Sequence, residues 1–186
     1  MKTKKKTTFT LEPDDIMSGF EGYTFLLFSS TLPSYAFVDD LNHLYNLRLT
    51  RVDDIPLNEI KWPLFIYHDT HLRLTYYLVE RPSGSPSTAW PSNHKMLIVA
   101  GEKAKDTIDM IHSEFCGATE PADPTDLLAA EHYELLSGFL SSFTLTRRID
   151  PMAPIDEQLS RKAQKEQSEL DALLTDIVEY IDVHQL

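Results

Sequence analysis

The stretch Leu64-Phe65-Ile66-Tyr67-His68-Asp69-Thr70-His71-Leu72-Arg73-Leu74-Thr75-Tyr76-Tyr77-Leu78-Val79 decides the fold. Two runs of strand-forming residues, Leu64–Tyr67 and Leu72–Val79, flank a polar four-residue gap. That gap is short enough for a β-hairpin. Alternation turns Leu72, Leu74, Tyr76 and Leu78 to one face and Arg73, Thr75, Tyr77 and Val79 to the other. A hairpin in mid-chain implies an antiparallel sheet.

Towards the amino terminus, Tyr23–Phe28 is a continuous apolar run behind Gly22 and reads as a buried strand. Pro33 then opens a helix over Tyr35–Leu47, with Phe37, Val38, Leu41, Leu44 and Tyr45 on one face. Arg48–Val52 alternates as a strand and stops at Asp53-Asp54 and Pro56. Towards the carboxyl terminus, Pro82–Asn93 is a loop and Met96–Ala100 a short strand closed by Gly101. Ala104–Phe115 is helical in pattern. Asp123-Pro124 starts another helix over Leu127–Ser137 that Gly138 can end, and Phe139–Ile149 is the last strand. Ile155–Val183 is helical, polar in its first half and apolar in its second. The expected fold is α+β, a mostly antiparallel sheet covered on one face by two or three helices. A ferredoxin-like core with an extra hairpin is one way to close it. Residues 1–19 read as a tail with a short edge strand around Thr7–Leu11, residues 20–150 as the domain, and 151–186 as a helical extension.

The chain has 186 residues, 42% hydrophobic and 25% charged, enough for one core. Its formal net charge is −12, although Lys2, Lys4, Lys5 and Lys6 crowd the amino terminus. So acidic a body repels phosphate backbones and anionic membranes, so nucleic acid is not an expected partner and the lysines read as a solvated terminus. No apolar window is long enough for a membrane span. The single cysteine, Cys116, forms no intrachain disulfide, and with no signal-peptide pattern the expected compartment is the cytoplasm.

Several segments resemble an uncharacterised bacterial family called IPExxxVDY. They are the first strand with Ser29-Ser30 after it, and Leu44-Tyr45-Asn46-Leu47 before Arg48-Leu49. The Tyr67–Asp69 hairpin leading to Thr75-Tyr76-Tyr77-Leu78, and Met96–Gly101 before a helix, fit too. The similarity is one of pattern over roughly residues 7–150. Neither naming element, Ile-Pro-Glu or Val-Asp-Tyr, stands in Ser87–Lys95, so no residue role carries over. The resemblance implies a small cytoplasmic protein with no established activity.

Of the chemistry-bearing groups, His68, Asp69 and His71 offer two imidazoles and a carboxylate to a metal, or form a solvated turn. Asp39 and His43 lie one helical turn apart and are an acid–base pair or an exposed polar face. Cys116 falls near a helix carboxyl end, the wrong pole for a thiolate. Trp90 is either a lid or partner anchor, or a pin for its own loop. The stripe holding Leu170, Leu174, Ile177 and Ile181 either meets a partner or second copy, or docks on the chain's own sheet. There is no glycine-rich phosphate loop, nucleophile elbow or paired zinc-cysteine motif, so no cofactor is expected. The sequence therefore points to a non-catalytic interaction or regulatory module, self-associating or with a protein partner. The alternative is a small-ligand or metal-binding protein using the 68–71 turn and the Trp90 loop.

Overall fold

Apolar side chains on consecutive residues, rather than alternate ones, mark a strand buried on both faces. Strand β1 (Tyr23–Ser30) carries Phe25, Leu26, Leu27 and Phe28, all buried, and β7 (His94–Ala100) matches it with Met96, Leu97, Ile98 and Val99. The two pair antiparallel, with Phe25 opposite Ile98 and Leu26 opposite Leu97. The computed structural model describes residues 20–83, 85, 90–91, 93–117, 126–149, 151 and 160–186. The tail with its lysines, the strand expected near Thr7–Leu11 and the Asp123-Pro124 helix start lie outside these residues.

Between those strands the chain builds helix α1 (Ser34–Tyr45), β2 (Thr50–Arg51), the ribbon β3 (Ile55–Leu57) and β4 (Ile60–Trp62), β5 (Leu64–Asp69) and β6 (Leu74–Glu80). After β7 come α2 (Ala104–Gly117), α3 (Leu127–Ser142), β8 (Phe143–Ile149) and α4 (Arg161–His184). The main sheet has the order β2-β5-β6-β7-β1-β8, antiparallel at every pairing. Strand β1 therefore lies between β7 and β8, the interleaving of a ferredoxin-like split βαβ unit, with β5 and β2 added at one edge. The α+β expectation and its antiparallel sheet hold.

One correction concerns the sheet's second face. Helices α1, α2 and α3 cover the face bearing Leu26, Phe28, Tyr76, Leu78, Leu97 and Val99. Helix α4 and the β3–β4 ribbon cover the opposite face, which bears Phe25, Leu27, Tyr77, Val79, Met96 and Ile98. The sheet is covered on both sides, because its central strands are apolar on both. Helix α4 belongs to this core rather than standing off as an extension. Leu170, Leu173, Leu174, Ile177, Val178 and Ile181 form its buried stripe. At its end, Tyr23 donates from Oη to Asp182 (2.6 Å) and Tyr77 to the Leu186 backbone oxygen (2.7 Å).

Local boundaries moved where tertiary contacts overrode local cues. The hairpin turn is Thr70–Arg73, so His68 and Asp69 belong to β5, and Leu72 is half exposed instead of facing the core. Gly138 does not stop α3, which runs on to Ser142 and buries Phe139 against Phe37. The β3–β4 ribbon was not expected. Its turn residues Asn58 and Glu59 both have positive φ, as a type I′ turn requires, but neither is glycine.

Gly101 closes β7 at φ +128°, and a Cβ there would meet the Arg73 carbonyl oxygen at 2.5 Å. Gly101→Ala should therefore cost about 1–3 kcal/mol, through backbone strain and displacement of the hairpin turn. Leu174→Ala, which opens a cavity between α4 and the sheet, should cost about 2–5 kcal/mol. Urea unfolding of each variant beside the parent protein measures both.

Candidate functional site

Helix α4 starts where the Ser160 hydroxyl accepts the Ala163 amide, at 3.2 Å. Its buried stripe fixes its rotation on the sheet. A second line of residues, 169, 172, 173, 176, 180 and 183, then falls along one flank, since steps of three and four share a helix side. The β3–β4 ribbon runs beside that flank. Its inner positions alternate as strands must: Ile55 and Trp62 are buried, and Leu57 and Ile60 pack half-buried beside them. Trp62 in turn lies on Trp90, with ring centroids 5.3 Å apart.

Ribbon and helix leave a groove between them. Its first part is a cleft of about 410 Å³ walled by Leu57, Ile60, Trp62, Ala172 and Leu173, with Glu169 and Asp176 at its edges. Its second part, about 360 Å³, lies between Pro56 and the flank from Asp176 to His184. The two parts share Leu57, Asn58 and Asp176, so they adjoin along α4. From Glu169 to Val183 the groove follows α4 for about 21 Å at the helical rise. Val183, 70% exposed, is an apolar side chain left open at one end. Tyr180 and His184 stack at 3.9 Å beside it.

The groove's charge is negative. Glu169 pairs with Lys165 at 3.5 Å. Asp176 and Glu179 have no ion-pair partner among the described residues. Partial burial, and then the charge of Glu179, push the Asp176 carboxyl up from its ordinary value.

The residues singled out from sequence fall elsewhere. Leu170, Leu174, Ile177 and Ile181 are covered by the chain's own sheet, so these side chains offer nothing to a partner in this fold. Trp90 is fully buried and donates from Nε1 to the His94 carbonyl at 3.0 Å, pinning its loop to β7. Its lid or anchor reading gives way to that role.

His68, Asp69 and His71 do not converge on a metal. Asp69 Oδ1 accepts the amides of His71 and Leu72, each at 2.9 Å, which spends the carboxylate on the turn. His68 Nδ1 lies 3.1 Å from Thr75 Oγ1 across the hairpin. No group of three His, Cys, Asp or Glu among the described residues could hold a metal ion. His43 donates from Nδ1 to the Asp39 carbonyl at 2.8 Å, and both side chains are exposed. Cys116 is exposed on the last turn of α2, with Sγ 3.8 Å from His112 Nε2 on the same helix.

Two polar networks were not anticipated, because their members are distant in sequence. Lys95, only 2% exposed, donates to the Leu32 carbonyl at 3.1 Å and lies 3.4 Å from Glu80 Oε1. Glu80 also accepts the Ser34 hydroxyl at the first turn of α1, where a negative charge favours the helix. This pair clamps α1 to the sheet. Between α1, α2 and α3, Tyr45 donates to Glu114 Oε2 at 2.8 Å, and His132 Nε2 lies 3.5 Å from the same oxygen. Burial, and then the Glu114 charge, push the Tyr45 hydroxyl well above its ordinary value, so it stays a donor. Both networks join elements, and neither opens into the groove.

No protein-family model matches the chain, and no curated protein matches it.

Because Asp69 Oδ1 holds the Thr70–Arg73 turn through two amides, Asp69→Ala should cost about 1 kcal/mol by stranding them. His68→Ala and His71→Ala should leave the thermal midpoint as it was, and added zinc should not raise it. Thermal unfolding of the three variants with and without zinc checks this.

Proposed function

We propose that this chain is a non-catalytic interaction module whose binding surface is the groove between the β3–β4 ribbon and α4. The observation that carries the proposal is that the two clefts adjoin along α4, sharing Leu57, Asn58 and Asp176 as lining. A groove about 21 Å long suits an extended peptide of roughly six residues at the strand rise, more than a compact metabolite. Its floor is apolar, and its edges supply an amide and carboxylates to fix orientation. The occupant is thus a segment of a partner protein laid along α4.

Residence in the cytoplasm and kinship with the IPExxxVDY family belong to this proposal, the latter on the segments quoted above. The apolar cleft beside Trp62 also falls within the size range of small-molecule sites, which favours a small apolar ligand as the second reading.

Ala172 is exposed on α4 and lines the first cleft, so Ala172→Trp fills the groove from outside the core. The variant should keep the parent's circular dichroism and unfold within about 1 kcal/mol of it. It should lose binding to peptides selected on the parent protein from a random nonapeptide library. Selected peptides that bind both proteins equally would place the binding surface elsewhere.

A further inference from the structure

We infer that the segment received by the groove carries a cationic side chain, arginine or lysine, seated against Asp176 with its aliphatic stem along Leu57 and Leu173. This rests on the groove reading and names the partner's chemistry.

Asp176 stands where the apolar cleft passes into the more polar one, and it lines both. Its carboxylate has no ion-pair partner among the described residues, and neither has Glu179, one turn further on. Other acids on this helix are already engaged. Glu169 meets Lys165, Glu166 meets Lys162, Asp182 accepts the Tyr23 hydroxyl, and Asp171 is also engaged. The unpaired carboxylates are therefore the two beside the groove's midpoint and far half.

An arginine or lysine suits such a place, because its stem covers apolar surface while its head stays with the carboxylate and water. The Tyr180 ring on the same flank adds an aromatic wall. Partial burial and the Glu179 charge already penalise the ionised form of Asp176, and a bound cation would relieve that penalty. A net charge of −12 would draw a basic segment towards the chain and turn an acidic one away.

The test selects nonapeptides on the full chain and measures their affinities for the parent, Ala172→Trp, Asp176→Asn and Asp176→Glu by fluorescence anisotropy. Selected peptides should share an arginine or lysine at one position. Its replacement by citrulline or norleucine should weaken binding about tenfold or more, as loss of a charge-assisted contact does. Asp176→Asn should weaken the cationic peptides by a similar factor, remove the difference between arginine and citrulline, and spare the fold. Asp176→Glu should restore part of that difference. Peptides that depend on the groove by the Ala172→Trp criterion, yet show no cationic position or bind Asp176→Asn as well as the parent, would overturn this inference and leave the groove standing. Absence of any peptide sensitive to Ala172→Trp would overturn the groove and this inference together.

Discussion

Everything in this molecule follows from a pair of central strands that are apolar on both faces. Phe25–Phe28 on β1 and Met96–Val99 on β7 lie side by side in register, and none of these side chains reaches water. Burying an aliphatic or aromatic side chain contributes roughly 1.5–3 kcal/mol, so neither face could stay open without forfeiting much of the domain's stability. One face is met by α1, α2 and α3. The other is met by α4 and the small β3–β4 ribbon. The terminal helix is thus a structural necessity.

That necessity also makes the groove. A helix cylinder and a two-stranded ribbon resting on one sheet cannot fill the angle between them, as two flat layers would. The residues along that seam on α4 are spaced three and four apart, next to the buried stripe, so fixing one fixes the other. Where α4 sits is secured at its carboxyl end by the Tyr23 and Tyr77 hydroxyls. Burial keeps both phenols protonated, pushing each above the ordinary value, so they remain donors across the neutral range.

Much of the fold was legible in the residues. The alternation across Leu64–Val79 gave the hairpin, and the spacing of Phe37, Val38, Leu41 and Leu44 gave α1. The continuous runs at Tyr23–Phe28 and Met96–Ala100 gave buried strands. Their being apolar on consecutive positions calls for cover on both sheet faces, which the expectation of one covered face left out. The ribbon was hidden because Pro56 and the Asn58-Glu59 pair mimic a loop, and because its three-residue strands are too short to show a period. The extension of α3 through Gly138 was hidden because burial of Phe139 against Phe37 outweighs the helix cost of one glycine.

The site was less legible, for a different reason. Chemistry-bearing residue types drew notice at His68, Asp69, His71 and Trp90, whereas the groove is built from Leu57, Ile60, Ala172 and Asp176, which no motif distinguishes. By itself the sequence determined most of the longer elements, most of their buried faces and the acidic surface, because periodicity and charge are local properties of the chain. Only the tertiary structure decided that the terminal stripe turns inward, that Lys95 finds Glu80, and that Asp176 stands unpaired at the middle of a groove. Those facts depend on which elements become neighbours, and contact between residues so distant in sequence leaves no local mark.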